Sequence, residues 1–257
     1  MNSSISGRRR QVEVSGADFM AGAASSWISV QAPRTQGTNF PMTTTLRDVR
    51  STGWTTNDVP DAVVLFLHGF GSNEQDLSSL APALGLDLPW ASLRAPLELG
   101  NGGAAWFEIT TPGAPDVAPV EAATKAIWAW IDENVDPSTR IIPIGFSQGG
   151  LMASQLLRTR PARVVAPVIL GGFVLGASQP GDESLRENLP PVFWGRGAVD
   201  RVIAPVAITR TTEFLPTHSS LIEKVYPGLA HGINAAELDD VRDFITARIG
   251  AEVGTGA

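Results

Sequence analysis

The stretch Ile141-Ile142-Pro143-Ile144-Gly145-Phe146-Ser147-Gln148-Gly149-Gly150 constrains this chain more than any other. It begins as an apolar run, bounded by Arg140, that reads as a buried strand. It closes on Gly145-Phe146-Ser147-Gln148-Gly149, a G-x-S-x-G pattern, and Leu151 to Arg158 come next in residues that favour helix. A strand that turns straight into a helix crowds the backbone on both sides of the serine, so only glycine fits at Gly145 and Gly149. Such a turn lifts the Ser147 hydroxyl clear of the sheet and sets it at a helix N-terminus, where developing negative charge is favoured. Taken alone, the pattern also fits a glycine-rich turn with an incidental serine, and the rest of the chain has to decide between the two.

Several kinds of chemistry are excluded at once. The 257 residues contain no cysteine, which removes disulfides, thiolate metal sites and a cysteine nucleophile. Three histidines, His68, His218 and His231, leave little room for a histidine-bound metal, so no metal or cofactor is expected. The net charge of -7 argues against a nucleic-acid partner, because neutralising phosphates needs clustered Lys and Arg. No apolar run is long enough for a membrane span. The oligomeric state is left open, with a homodimer among the options.

Residues 1–45 differ from the rest and read as a flexible leader. Arg8-Arg9-Arg10 resembles a twin-arginine signal, but Glu13, Asp18 and small polar residues break up the stretch after it, so no apolar signal core forms and a cytoplasmic location is expected. Met42, ahead of Thr43-Thr44-Thr45-Leu46, marks a natural start for the folded part. Strands are expected at Leu46 to Arg50 (an edge), Ala62 to Leu67, Trp90 to Leu93, the run before Ser147, Val164 to Leu170, Pro191 to Trp194 and Leu221 to Tyr226. Helices are expected from an Asn73 cap to about Leu84, over Val120 to Val135, Pro205 to Leu215 and Ala235 to Ile249. Arg94 to Pro119 reads as a long loop, Ala177 to Asn188 as a polar one, and 250–257 as a tail. Strands alternating with helices imply an α/β domain over 46–249: a mainly parallel sheet with helices on both faces and a site beyond the carboxyl ends of its strands.

A serine hydroxyl is a poor nucleophile until a base takes its proton, and a third group must orient that base. His231 comes after a strand and lies between Ala230 and Gly232, so little bulk blocks it. His218 sits in the polar run Thr217-His218-Ser219-Ser220 ahead of its strand, at the wrong end of the sheet, and reads as a surface histidine. His68 is at the correct end but precedes the serine, and reads as a loop-shaping residue held by a backbone hydrogen bond. Asp200 comes after the strand ending at Trp194 and is the acid that would hold His231. Its alternative role is to cap the next helix, and the alternative acid is Asp182, which reads as a solvated charge. The order Ser147, Asp200, His231 is that of α/β-hydrolases. Two backbone donors would bind the oxyanion: the N–H of Gln148, and that of Phe70 within His68-Gly69-Phe70-Gly71.

Leu67-His68-Gly69-Phe70-Gly71, Gly145-Phe146-Ser147-Gln148-Gly149-Gly150, Asp200 ahead of Arg201-Val202, and Ala230-His231-Gly232 together resemble the phospholipase/carboxylesterase family of α/β-hydrolases, which includes acyl-protein thioesterases and small bacterial carboxylesterases. Ala105-Trp106-Phe107-Glu108 is similar to that family's Trp-Phe-Asp segment, with Glu in place of Asp. The resemblance covers about residues 60 to 249. It implies an α/β-hydrolase fold with no large cap domain, no metal and a shallow acyl groove. It carries Trp106, with Phe107 beside it, over as substrate-binding groove wall, the alternative being packed loop aromatics. The activity implied is that of a serine carboxylesterase on small to medium acyl esters. The competing readings are an acyl-protein or acyl-CoA thioesterase, and a non-catalytic binding protein on the same scaffold.

Overall fold

A computed structural model of the chain describes residues 45–52, 54, 59–99 and 102–253. The leader expected over 1–45, with its arginine run, lies outside the described residues except for Thr45. In chain order the strands and helices are β1 (Asp48–Arg50), β2 (Ala62–Leu67), α1 (Glu74–Ser78), α2 (Ala81–Leu84), β3 (Trp90–Leu93), β4 (Leu97–Glu98), β5 (Ala104–Ala105), α3 (Val117–Asn134), β6 (Arg140–Phe146), α4 (Gln148–Thr159), β7 (Val168–Leu170), α5 (Asp182–Asn188), β8 (Pro191–Gly197), α6 (Pro205–His218), β9 (Ser220–Tyr226) and α7 (Ala235–Val253).

Seven strands form one sheet in the order β1-β3-β2-β6-β7-β8-β9. Within this sheet, among the described residues, only β1 runs antiparallel, pairing Val49 with Ser92. The other pairs are parallel, and β2 lies beside β6 with Leu67 opposite Gly145. Every residue of β2 is buried, as a strand covered on both faces requires. Alternation then splits its side chains. Val63, Leu65 and Leu67 join the core beneath α3, α4 and α6, while Ala62, Val64 and Phe66 join the core beneath α1, α2 and α7. Among the described residues no inserted domain separates any two strands.

The departures from expectation have local causes. The helix expected from Asn73 to Leu84 is broken. Asn73 does cap its start, accepting from the amide of Gln75 at 2.8 Å. The break at Ser79 and Leu80 comes where Ser78 and Ser79 hydroxyls donate back to Gln75 and Asp76 carbonyls, and Pro82 restarts the chain as the first turn of α2. The long loop after Arg94 contains the β4–β5 ribbon, and α3 begins at Val117, with Pro119 inside its first turn, where a missing N–H costs nothing. The strand expected from Val164 shortens to β7, because Ala166 adopts φ 47° and Pro167 cannot donate. The polar loop before β8 contains a helix, α5, seeded by Asp182 and Glu183 in its first turn and anchored by the buried Leu185. At the C-terminus, α7 continues to Val253, past Gly250, the expected start of the tail.

Candidate active site

The elbow is built by close approach. A Cβ at Gly145 would collide with the carbonyl oxygen of Gly149, and one at Gly149 would collide with the carbonyl oxygen of Leu67 on the neighbouring strand. Side chains at either position would therefore push β2, β6 and α4 apart. Between them Ser147 takes φ 56° and ψ -115°, a strained conformation for a residue with a side chain. Such strain costs roughly 1–3 kcal/mol, and the surrounding structure holds it in place. The Ser147 amide donates to Leu170 on β7 at 2.8 Å, and its carbonyl accepts from Leu151 at 3.2 Å.

Three side chains far apart in sequence meet there. The Oγ of Ser147 lies 2.9 Å from Nε2 of His231, and Nδ1 of His231 lies 2.7 Å from Oδ2 of Asp200. The His231 ring packs 4.8 Å from the Phe146 ring and lies against Gly171. The other oxygen of Asp200, Oδ1, accepts from the amides of Val202 at 2.8 Å and Ile203 at 3.2 Å. Its side chain is only 8% exposed. Burial alone would raise its pKa. Hydrogen bonding from His231, the attraction of that ring and the two amides outweigh burial and hold the carboxyl below its ordinary range. A carboxylate only accepts, so Nδ1 of His231 carries a hydrogen toward Asp200, and Nε2 is the ring nitrogen that faces the Ser147 hydroxyl.

The other expected residues are sorted by their surroundings. His68 is fully buried, with Nε2 accepting from the Ala95 amide at 3.1 Å and Nδ1 2.8 Å from the carbonyl of Gly69. Burial lowers its pKa, and both ring nitrogens are engaged with backbone. His218 is at the opposite end of the sheet, but it is not a surface residue. It is 5% exposed, stacked on Phe214 at 3.8 Å, with Nε2 3.2 Å from an Arg186 nitrogen. Asp182 is not a solvated charge either. The buried Arg158 guanidinium donates to both of its oxygens at 2.8 Å.

Trp106 and Phe107 require a correction. They are 1% and 3% exposed and belong to the core beneath α3 and α4, so neither has surface to offer a substrate. The indole N–H of Trp106 donates to the carbonyl of His68 at 2.9 Å. Gln148 supplies a contact that sequence reasoning missed: its buried side-chain amide grips this same segment, accepting from the Trp106 amide at 2.8 Å and donating to the Phe107 carbonyl at 2.7 Å. The only hint in the sequence is a long polar residue inside an otherwise small and apolar turn. The His68–Gly71 loop adjoins the elbow: a Cβ on Gly69 would lie 3.5 Å from Cβ of Ser147. Among the described residues no group of three or more His, Asp or Glu side chains is arranged to hold a metal.

A parallel-centred sheet with a strained serine between strand and helix, flanked by a histidine and an acid on later strand ends, defines an α/β-hydrolase-like protein. Residues 55–249 match the phospholipase/carboxylesterase family model, and the chain belongs to that family. Curated relatives include carboxylesterase SOBER1 of Arabidopsis thaliana, 27% identical over 210 residues, covering 72% of this chain and 90% of that protein. Acyl-protein thioesterase 1 of Saccharomyces cerevisiae is 31% identical over 212 residues, covering 71% and 90%. Among solved structures, the Bacillus cereus carboxylesterase superposes with a TM-score of 0.65 over 79% of this chain and 94% of its own, at 22% identity. Membership in this family makes the chain a hydrolase acting on esters.

Proposed function

We propose that this protein is a serine carboxylesterase cleaving small to medium acyl esters through an acyl-enzyme. The observation that supports it best is the continuous chain of contacts from the Ser147 hydroxyl through His231 to Asp200, at 2.9 and 2.7 Å. Ser147 Oγ attacks the ester carbonyl carbon while Nε2 of His231 takes its proton. Asp200 holds the imidazolium that forms and does not take the proton itself. The negative charge then on the carbonyl oxygen is met by the N–H of Gln148, at the start of α4, and the N–H of Phe70 in the adjoining loop. As the intermediate collapses, the bond to the alcohol oxygen breaks and His231 returns the proton to it. Water, deprotonated by the same histidine, attacks the acyl-serine, and the acid and free serine are released.

The test is Ser147→Ala. Turnover of a p-nitrophenyl ester should fall by about 10⁶-fold with the fold intact. Retention of more than a few per cent would sink the proposal, as would failure of the folded wild-type protein to label with a fluorophosphonate probe, which would favour a binding protein on this scaffold. A second reading, thioester cleavage on acylated protein or acyl-CoA, is favoured by the 31% identity to acyl-protein thioesterase 1 of yeast. Rates on a matched ester and thioester sharing one acyl chain separate the two.

A further inference from the structure

The two backbone donors proposed for the oxyanion sit on loops that sequence keeps far apart, one after β2 and one at the start of α4. A hydrogen-bond donor stabilises an oxyanion only when it is about 2.7–3.1 Å from it, so the spacing between the two loops must be held closely. The segment from Gly103 to Phe107 runs between them. On one side it grips the His68–Gly71 loop. The Gly71 amide donates to the Ala104 carbonyl at 2.8 Å, the Ala104 amide donates to the Ser72 carbonyl at 2.8 Å, and the Trp106 indole donates to the His68 carbonyl at 2.9 Å. The Trp106 and His68 rings also pack at 5.5 Å. On the other side it grips Gln148, whose side-chain amide has both ends bonded to it.

Burying a primary amide adds little net stability, because its desolvation offsets the bonds it makes. What two opposed bonds from one rigid amide add is a fixed geometry. We infer that the Gln148 side chain is a positioning residue: acting through the Trp106–Phe107 segment, it sets the distance between its own backbone N–H and that of the Phe70 loop. The inference rests on the serine-hydrolase reading and goes beyond the backbone role of Gln148 in it.

The test is Gln148→Met, which keeps length and approximate volume but loses both bonds, alongside Trp106→Phe, which loses the indole donor and part of the buried ring packed on His68. Four quantities are measured on each folded protein: kcat, KM, the inhibition constant of a trifluoromethyl ketone matching the acyl chain, and that of the corresponding alcohol. The ketone adds Ser147 and places a negative charge where the oxyanion forms, whereas the alcohol only fills the groove. For Gln148→Met, kcat should fall by about 10- to 100-fold and ketone binding should weaken by the same factor. KM and alcohol binding should stay within about threefold of wild type. Trp106→Phe should show the same pattern at about 3- to 10-fold, and the double variant should lose less than the product of the two, because both act on one gap. A kcat within about threefold of wild type, or losses shared equally by KM and the alcohol, overturns the inference and leaves the hydrolase reading standing. A folded wild-type protein inert to substrate and to a fluorophosphonate overturns both. If Gln148→Met does not fold, Trp106→Phe decides alone.

Discussion

Two carboxyls flank the carboxyl end of β8, and their surroundings drive them in opposite directions. Asp200, just beyond the strand, is buried but receives a hydrogen bond from His231 and two from backbone amides, and it is held below the ordinary carboxylate range. Glu237, in the first turn of α7, is fully buried against Gly195, and among the described residues no donor meets either of its side-chain oxygens in full hydrogen-bonding geometry. Burial pushes its pKa up to about 8; the neighbouring Asn234 backbone offsets only part of this, and Asp240 adds repulsion. Around neutral pH one carboxyl is a charged acceptor and the other is mainly a neutral acid. Burial raises both, and the number of donors decides which ionises. The first can hold an imidazolium.

This contrast can be broken most severely at Asp200. Asp200→Asn keeps the shape but loses the charge and the preferred histidine tautomer, and kcat on an ester should fall by about 10⁴-fold with the fold retained. A loss under tenfold would mean that His231 is oriented by something else. The next effect is on stability and belongs to Glu237. Its folded pKa of about 8 lies above the ordinary 4.5, so the folded state holds a proton that the unfolded state releases over that window. Stability from this group is therefore fully present below pH 4.5 and is lost as pH rises toward 8. Glu237→Gln cannot lose that proton, so its stability relative to wild type should improve by about 3 kcal/mol between pH 5 and pH 8 in urea melts. Parallel curves for the two proteins would refute this.

Asp200 should show the opposite sign. Its folded pKa is depressed, so its contribution is full above the ordinary 3.8 and is lost as pH falls through the lowered value. Acid melts of wild type and Asp200→Asn should converge in that range, and a constant gap would contradict it. The smallest effect sharpens the packing side of the comparison. A Cβ on Gly195 would collide with Oε1 of Glu237, so Gly195→Ala should cost about 1–2 kcal/mol. A second change, Glu237→Ala, should relieve most of that cost in a double-mutant cycle; simple additivity would show that the carboxyl is not what fills the space.

Most strands of the main sheet, and the three candidate side chains that meet at the elbow, carry a local signature that residues alone reveal. Ala62–Leu67 is an unbroken β-branched and apolar run, and the strand occupies those same residues. Gly145 and Gly149 are demanded by a turn whose backbones nearly touch. Misreadings fell where a distant partner overrides local pattern. Asp182 looked like a solvated loop charge because the Arg158 that pairs with it lies 24 residues earlier. His218 looked exposed because Phe214, on which it stacks, is a helical turn away and gives no sign of facing inward. Trp106 looked like a wall because a long loop offers no period from which burial could be judged.

The sequence by itself determined that a serine would stand on a strained strand-to-helix turn, with an acid and a histidine coming later, in that order, on other strand ends, because steric limits at glycine and the two-residue period of a covered strand are local facts. Whether those groups meet, and which carboxyl is charged, was settled only in three dimensions. Hydrogen bonds from His231 and from the amides of Val202 and Ile203 reach Asp200, whereas the Asn234 backbone offsets only part of the burial of the Glu237 carboxyl, and desolvation is a property of everything that surrounds a group rather than of its neighbours in the chain.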